Sequence, residues 1–299
     1  MKQINMNDSF SFEKTILVTG SGGQLGMELS NLSKQYPNYK FLFTSKEDLP
    51  IDDFKLIKKY FEQQQIDYCI NCAGYTAVDK AESEKEKAFD INADAVGNLS
   101  AMCKAHQAQL IHISSDYVFD GTSAIPYKED DRVSPINVYG SSKLKGEELV
   151  LNNNSSAIII RTSWVYSSFG NNFVKTMLRL LKEKETINVV SDQYGCPTYA
   201  ADLAAAIMTI VDKEEGGNPT TGIFNFCNEG TTTWYDFAKA IKKFAKSSCT
   251  INPIPSSEYP MPAKRPQYSV LDTTKIKDTF DITIPKWKES LHKCLEILN

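Results

Sequence analysis

Short apolar runs rich in β-branched residues alternate with amphipathic stretches along the first half of the chain. The runs lie at 14–19, 39–43, 67–72, 110–113 and 157–161. Runs of this kind are typical of strands buried on both faces, and the stretches between them carry apolar residues at helical spacing. The alternation therefore predicts an α/β fold built on a doubly wound parallel (Rossmann) sheet with right-handed crossovers.

Two of the predicted helices carry side chains with expected roles. In the helix predicted over 52–65, Phe54, Ile57 and Phe61 share the face that should turn toward the sheet. In the helix that carries Phe89, Ile91, Ala95 and Leu99, the amide of Asn92 is placed to brace the neighbouring strand.

The second half of the chain is less regular. It contains helices predicted from an opening at 171–173 to 184, from 200 to 211 and from a threonine cap at 231–233 to about 246, a short strand at 224–226, and a proline cluster at 253–266. We predict a dinucleotide-binding domain at 13–165, to which the chain returns around 186–215, and a smaller C-terminal α+β substrate lobe at 166–299. Residues 1–12 are expected to form a flexible extension.

Composition and charge narrow the class of protein. The 299 residues carry a net charge of -4 with a pI near 5.6, which argues against nucleic acid as a partner. No apolar run approaches the ~20 residues that span a bilayer, and the first residues lack a signal-peptide pattern, so we expect no membrane partner and a cytoplasmic location. The seven cysteines should be reduced; Cys69 and Cys72 fall on a strand and point to opposite faces, which disfavours a metal or redox pair.

Glycines follow the first predicted strand directly. Gly20, Gly23 and Gly26 give a G-x-x-G-x-x-G spacing between that strand and a helix with Leu25, Leu29 and Leu32 on one stripe. Missing side chains let backbone approach a diphosphate, which the helix N-terminus attracts. The sequence therefore predicts a dinucleotide site.

The ends of the second and third strands suggest which dinucleotide binds. The second strand ends at Ser45 and Lys46, with Glu47 and Asp48 beyond; a hydroxyl or basic residue there suits the 2′-phosphate of NADPH, although NADH stays open. The third strand ends in the small residues of 71–76, which would let backbone lie close to the cofactor.

A tyrosine and a lysine one helical turn apart are the main chemical signal. Tyr139 and Lys143 would share one helix face, where a nearby cation stabilises the phenolate and moves the pKa of the phenol toward neutral pH. Ser115 and Asp116 follow the fourth strand and fall at the same rim of the sheet. Ser115 would polarise a carbonyl while Tyr139 supplies the proton.

The proline-rich segment contains a basic pair, Lys264 and Arg265. Two adjacent cations in a lobe that covers the rim could clamp the diphosphate of a ligand, or could simply be a surface pair.

Together these features resemble an extended short-chain dehydrogenase/reductase and, more narrowly, the dTDP-4-dehydrorhamnose reductase family. The matching stretches are 23–26, 75–82, 115–119, 137–143, 161–166, 170–173, 192–198, 230–235 and 262–266. The resemblance implies NAD(P)H-dependent reduction of the 4-keto group of dTDP-4-dehydro-β-L-rhamnose, the last step toward dTDP-rhamnose for cell-surface polysaccharide.

The resemblance also implies roles for individual residues. Tyr139 would donate the proton, Lys143 would lower its pKa and hold the nicotinamide ribose, and Ser115 would orient the keto oxygen. Asp116 and Trp164 would contact the sugar nucleotide. The residues that would line the cofactor are Gly23, Gln24, Leu25, Gly74, Tyr75 and Thr76.

Two departures from the family pattern concern the cofactor and a metal. Leu49-Pro50-Ile51 replaces a Leu-Asp-Ile context, which puts one adenine contact in doubt. Some relatives dimerise through magnesium held by glutamates; Glu28 matches one of these, but 198–201 supplies no second glutamate, so no metal is predicted. The assembly is expected to be a monomer or a homodimer.

Two other functions remain open from the sequence. One is a nucleotide-sugar epimerase or dehydratase that recycles a tightly held NAD. The other is a non-catalytic regulatory subunit of the methionine adenosyltransferase type, which shares the fold; the intact set of Ser115, Tyr139 and Lys143 argues against it.

Overall fold

The computed structural model describes residues 14–216 and 220–298, so the extension predicted at 1–12 lies outside the described residues. The strands are β1 (Lys14–Thr19), β2 (Tyr39–Thr44), β3 (Tyr68–Asn71), β4 (Gln109–Ser115), β5 (Ile158–Thr162), β6 (Val165–Tyr166), β7 (Thr186–Val190), β8 (Tyr194–Gly195), β9 (Thr198–Tyr199), β10 (Gly222–Asn225), β11 (Thr232–Thr233) and β12 (Thr250–Ile254). The α-helices are α1 (Gln24–Leu32), α2 (Phe54–Gln63), α3 (Val78–Ala81), α4 (Lys85–Phe89), α5 (Ala95–Ala105), α6 (Val138–Asn153), α7 (Phe173–Glu183), α8 (Ala200–Glu215), α9 (Trp234–Ala245), α10 (Thr274–Phe280) and α11 (Trp287–Leu298).

Short 3₁₀ and π segments complete the described chain. Three 3₁₀ turns lie at Ser33–Gln35, Asp116–Val118 and Ser256–Glu258, and a π-helical turn at Asp90–Asp94 joins α4 to α5.

The main sheet has the order β10-β5-β4-β3-β1-β2 in the described part of the chain, and every neighbouring pair is parallel. This confirms the predicted doubly wound α/β fold. The chain winds one way from β1 to β2 and the other way from β3 onward, so the switch point lies between β1 and β3. Ligands bind at the carboxyl ends of the strands at such a point.

The sheet separates two apolar cores, because successive residues of a strand face opposite sides. Ile16 and Val18 pack with α1, α8 and α10 on one side, whereas Leu17 packs with α2, α5 and α6 on the other. Cys69 belongs to the second core and Cys72 borders the first, as the strand period predicts. The described cysteines are all free.

The prediction that Phe54 faces the core is wrong. Ile57 and Phe61 of α2 are buried, but Phe54 is 44% exposed. The buried stripe of this helix is flanked by Leu56 and Tyr60, which border the core, while Phe54 is the first helical residue after the cap Asp53. Its position at the helix end leaves it beside the core rather than in it.

The C-terminal half divides its elements between two places. β7 pairs in parallel with β12, and both pack with α7, α9 and α11 around a separate core. α8 packs on the main sheet, and β10 pairs with β5. The strand predicted at 224–226 within the lobe therefore belongs to the main sheet, because its apolar side chains extend the first core. The domain boundaries at 165 and 186–215 stay predictions.

Two features are absent from the described residues. None of the helices within 14–216 and 220–298 is long and apolar enough to cross a bilayer. The same residues contain no group of three or more His, Cys, Asp and Glu side chains arranged to hold a metal ion.

A buried ion pair anchors α6 to the sheet. The guanidinium of Arg161 on β5 donates from Nε and Nη2 to the carboxylate of Glu147 on α6, at 2.9 and 2.7 Å. Both side chains are 3% exposed. The hydroxyl of Ser114 on β4 also donates to Glu147. Because a buried charge needs a partner, these contacts fix how the helix lies over β4 and β5.

The pair predicts a large difference between two adjacent glutamates. Glu147→Ala leaves the guanidinium of Arg161 buried without its partner and should lower the free energy of unfolding by about 3–5 kcal/mol. Glu148→Ala removes an exposed contact with Lys145 and should cost less than about 1 kcal/mol. Urea unfolding of both variants measures this; equal losses would contradict the anchoring role.

Candidate active site

The loop between β1 and α1 forms the floor of a cleft. Gly20 has a φ of +67°, and a Cβ at that position would lie 2.6 Å from the backbone nitrogen of Ala73. Gly23 caps α1 without a side chain, so the N–H groups of the first turn receive no capping side chain from the described residues. Gly26 instead lets the helix pack on the loop, since its Cβ would meet the Gly20 oxygen at 2.7 Å.

The cleft is a cavity of about 1010 Å³ along the carboxyl edge of the sheet. The predicted residues that line it are Gly20, Gly23, Gln24, Leu25, Ser45, Lys46, Gly74, Tyr75, Thr76, Ser115, Asp116, Tyr139, Lys143 and Trp164. Gly26, Lys264 and Arg265 do not line it. Lining residues that the sequence analysis did not single out include Ala77, Ser163 and Trp234.

Asn92 holds the loop that follows β3. Its side-chain oxygen accepts from the backbone N–H of Tyr75 at 2.8 Å, and its amide donates to the Tyr75 carbonyl and to the Ser142 hydroxyl, both at 3.0 Å. The amide braces this loop rather than a strand, because Asn92 lies in the π-helical turn beside it. Gly74 and Tyr75 are thereby kept at the cavity wall.

The end of β2 supplies the polar residues at another side of the cavity. The backbone N–H and the hydroxyl of Ser45 both donate to Asp48, at 3.0 and 2.7 Å. These hydrogen bonds hold the pKa of Asp48 below its usual value. Lys46 is exposed at the cavity edge, so its ammonium is free to meet an anionic group there.

Tyr139 and Lys143 lie on the first turns of α6. Asn137 caps this helix, its side-chain oxygen accepting from the Gly140 N–H at 2.7 Å. Gly140 allows the helix to pass close to the 3₁₀ turn after β4, because a Cβ there would lie 2.1 Å from the Tyr117 oxygen. The amine of Lys143 is buried and donates to the Ile113 carbonyl at 2.6 Å.

Burial controls the pKa values of both groups. Burial raises the pKa of Tyr139 to about 12, an effect that the neighbouring Ser115 hydroxyl partly offsets and Asp116 reinforces. Burial lowers the pKa of Lys143 to about 8, against the pull of Glu147. The net shift of the Tyr139 pKa is upward, because loss of water outweighs the other influences on the phenol. The lowering of this pKa by Lys143 that the sequence analysis expected stays a prediction.

Ser115 and Asp116 adjoin the phenol. The Ser115 hydroxyl donates to Asp116 Oδ1 at 3.0 Å and accepts from the backbone N–H of Tyr117. Asp116 Oδ2 has no hydrogen-bond partner among the described residues. Burial raises the pKa of Asp116 to about 7, which the nearby Ser269 and Ser115 hydroxyls only partly offset.

A pair of stacked indoles forms an apolar wall. The rings of Trp164 and Trp234 lie 3.6 Å apart between centroids at an angle of 10°. Trp164 has a φ of +47°, and Gly195 admits its ring, since a Cβ there would lie 2.6 Å from Trp164 Cε2. The strained backbone aims this indole at the cavity. The sequence analysis predicted a helix cap at 231–233 but did not predict that Trp234 would stack on Trp164.

The predicted basic clamp is not formed at the cavity. Arg265 donates from Nη1 and Nη2 to the two carboxylate oxygens of Asp79, each at 2.6 Å. Lys264 is exposed, and its carbonyl accepts from Asn137. The guanidinium of Arg265 is therefore paired with the carboxylate of Asp79 on α3. The hydrogen bond from Asn137 to the Lys264 carbonyl connects the C-terminal half to the start of α6.

These features define a class of protein. A glycine loop lies at the switch point of a doubly wound sheet, where dinucleotides bind, and a buried serine and lysine lie at the adjoining rim with a half-buried tyrosine. The fold and the site are those of an extended short-chain dehydrogenase/reductase.

Comparison with known proteins narrows this class. The chain belongs to the family described as RmlD substrate binding domain, whose family model matches residues 14–299. It is 40% identical to the dTDP-4-dehydrorhamnose reductase of Aggregatibacter actinomycetemcomitans, covering 92% of this chain and 96% of that protein.

Two solved structures agree. The dTDP-4-dehydrorhamnose reductase of Clostridium acetobutylicum superposes with a TM-score of 0.90 at 40% identity, covering 95% of this chain and 99% of that one. The Bacillus anthracis enzyme, solved in complex with NADP, gives a TM-score of 0.90 at 35% identity, with the same coverage of 95% and 99%.

The buried carboxyl of Asp116 should make stability depend on pH. Its pKa of about 7 in the folded protein lies above the ordinary 3.8, so between these values the folded protein keeps a proton that the unfolded chain has lost. The free energy of unfolding should therefore fall from about pH 4 to pH 7 more steeply than in Asp116→Asn. Urea unfolding across that range tests this; parallel curves would contradict it.

Proposed function

We propose that this chain is an NADPH-dependent reductase that converts dTDP-4-dehydro-β-L-rhamnose to dTDP-β-L-rhamnose by reducing the 4-keto group. The observation that carries the proposal is that Tyr139, Ser115 and Lys143 line the same cavity as the glycine loop. The relatives named dTDP-4-dehydrorhamnose reductase, which match nearly the whole chain, support the choice of substrate.

The site fits a dinucleotide. Gly20 and Gly23 leave the cavity floor open to a diphosphate, and the uncapped first turn of α1 offers N–H groups to its charge. The buried amine of Lys143 lies below the Gly74 loop, where it would hold a ribose hydroxyl. A bound reduced nicotinamide supplies the hydride for the reaction.

The residues of the rim manage the proton. With a pKa of about 12, Tyr139 is protonated at neutral pH and therefore ready to protonate the oxygen on C4 as it gains charge. Ser115 donates a hydrogen bond to the same oxygen once substrate displaces its contact with Asp116. Lys143, with a pKa of about 8, carries positive charge at pH 7 and stabilises the phenolate that remains.

The stacked indoles of Trp164 and Trp234 and the buried carboxyl of Asp116 would select the sugar nucleotide. Asp116 lines the cavity, where its carboxyl group would bind a sugar hydroxyl, and Trp164, stacked on Trp234, offers an apolar face. We assign the lobe formed mainly by 166–299 to substrate binding and 13–165 to the cofactor.

We further propose that the protein acts in the cytoplasm as a monomer or a homodimer, on a dTDP-sugar, with neither nucleic acid nor membrane as partner. The dinucleotide and the nucleotide sugar are both small polar metabolites. The acidic balance of the chain, a net charge of -4, supports the exclusion of nucleic acid.

One assay separates this function from its rivals. Purified protein with dTDP-4-dehydro-L-rhamnose and NADPH should consume one NADPH per sugar, followed at 340 nm, with the product identified by NMR. An epimerase or dehydratase with tightly bound NAD would change the sugar without net loss of absorbance. A regulatory subunit would leave both reactants unchanged.

Removing the phenol tests the proton donor. Tyr139→Phe should lower kcat by about 10²–10⁴-fold, because it removes the hydroxyl assigned to protonate the C4 oxygen. The Kd for NADPH should change little. Tyr117→Phe is the matched control, since that ring lies edge-on to Tyr139 at 5.6 Å and should lose less than about tenfold. A near-normal kcat in Tyr139→Phe would refute the assignment.

The exposed lysine at the end of β2 tests the choice of cofactor. Lys46→Glu places a negative charge where the 2′-phosphate of NADPH would lie and should weaken NADPH binding by about tenfold or more, about 1.4 kcal/mol. NADH binding should change little. Glu47→Gln, one residue along the same loop, is the control. Fluorescence titration measures both constants; an equal loss for both cofactors would argue against this contact.

A further inference from the structure

A row of buried polar side chains crosses the main sheet below the cavity. Thr19, Asn71 and His112 are direct neighbours in register on β1, β3 and β4. Each is 0% exposed. They share the face that packs with α2, α5 and α6, where the neighbouring strand positions are apolar. Buried polar groups are costly unless hydrogen-bonded, so this row calls for an explanation.

The hydrogen bonds in the row have a fixed direction. The backbone N–H of Ala73, which can only donate, points to Asn71 Oδ1 at 3.1 Å, and the Thr19 hydroxyl donates to the same oxygen. The Asn71 amide nitrogen must therefore face His112, whose Nδ1 lies 3.0 Å away. Since an amide N–H donates, His112 Nδ1 accepts.

The imidazole is consequently one defined tautomer. Burial, reinforced by the charge of Lys143, holds the pKa of His112 well below its ordinary value, so the ring is neutral. A neutral imidazole whose Nδ1 accepts carries its proton on Nε2. That nitrogen lies 3.5 Å from Lys143 Nζ.

An N–H group facing an amine discriminates between its two protonation states. A neutral amine has a lone pair that can accept from His112 Nε2–H, whereas an ammonium has only donors. The other groups around Lys143 are Glu147 and Tyr139 on its own helix. Glu147 favours the ammonium, although its carboxylate is also bound by Arg161. The Ile113 carbonyl accepts from the amine, and the Gly74 loop brings no charge.

We propose that His112 is a positioning residue of the reductase site: held by Asn71 as the Nε2–H tautomer, it aims that N–H at Lys143 and disfavours the protonated amine. The direct consequence is that the amine of Lys143 gives up its proton more readily while it remains below the Gly74 loop. The kinetic consequence, easier return of a proton to Tyr139 after each turnover, rests on the proposed function.

The tautomer is tested on the unmodified protein. The chain contains three histidines, so His112→Gln identifies the His112 signals in ¹⁵N spectra, with exposed His106 and His292 as references. We expect one protonated and one unprotonated ring nitrogen, with the proton on Nε2, unchanged from pH 5.5 to 9. A proton on Nδ1, or titration of the ring near its ordinary pKa, would overturn the proposal.

The effect on the amine is tested in the variant. In His112→Gln the amide can turn its oxygen toward Lys143, so the lysine pKa, followed by ¹³C labelling and assigned with Lys143→Arg, should rise by about one unit. The alkaline limb of the kcat profile should move with it. His106→Gln, an exposed substitution, should move neither.

The outcomes separate this proposal from the proposed function. Neither the tautomer nor the lysine pKa needs substrate, so an unchanged lysine pKa in folded His112→Gln refutes the role of His112 alone. Absence of turnover with the keto sugar refutes the proposed reaction and leaves both spectroscopic results standing. If His112→Gln does not fold, the tautomer measured in the unmodified protein still tests the proposed role of His112.

Discussion

Loss of water at the carboxyl edge of β4 is the constraint on which the site depends. It raises the pKa of Tyr139 and Asp116 and lowers the pKa of Lys143 and His112. Each shift favours the neutral form, so Tyr139 and His112 are uncharged at neutral pH, whereas the ammonium of Lys143 remains. Charge that develops on a substrate oxygen would then meet the prepositioned hydroxyls of Ser115 and Tyr139, with the Lys143 ammonium beside them. The same burial that makes the phenol a reluctant acid ensures that it keeps its proton until that charge appears.

These site residues are buried or half-buried because α6 packs directly against the sheet. Gly140 lets the first turn of the helix contact the backbone after β4, and the ion pair of Glu147 with Arg161 holds the middle of the helix to β5. Asn92 closes the remaining side by fixing the loop after β3. One close backbone approach and two sets of polar contacts thus position the helix, and apolar packing excludes the solvent.

Local patterns in the sequence were sufficient for the sheet, the glycine loop and the tyrosine–lysine pair, because each depends on residues near one another in the chain. What the sequence did not reveal depends on distant partners. The net rise in the pKa of Tyr139 follows from burial by other elements, and the occupation of Arg265 follows from Asp79, 186 positions away. The exposure of Phe54 likewise depends on where the core ends, which helical periodicity does not encode.

The polar row of Thr19, Asn71 and His112 links the two halves of the chemistry. Its first member ends the strand that leads into the glycine loop, and its last contacts Lys143, which lies below the loop after β3. A shift of that loop would move the Ala73 N–H that fixes the Asn71 amide, and the tautomer of the imidazole would lose its determinant. The protonation state of Lys143 is therefore coupled to the geometry of the cofactor cleft through three hydrogen-bonded side chains. This coupling needs no motion larger than the rotation of one amide group.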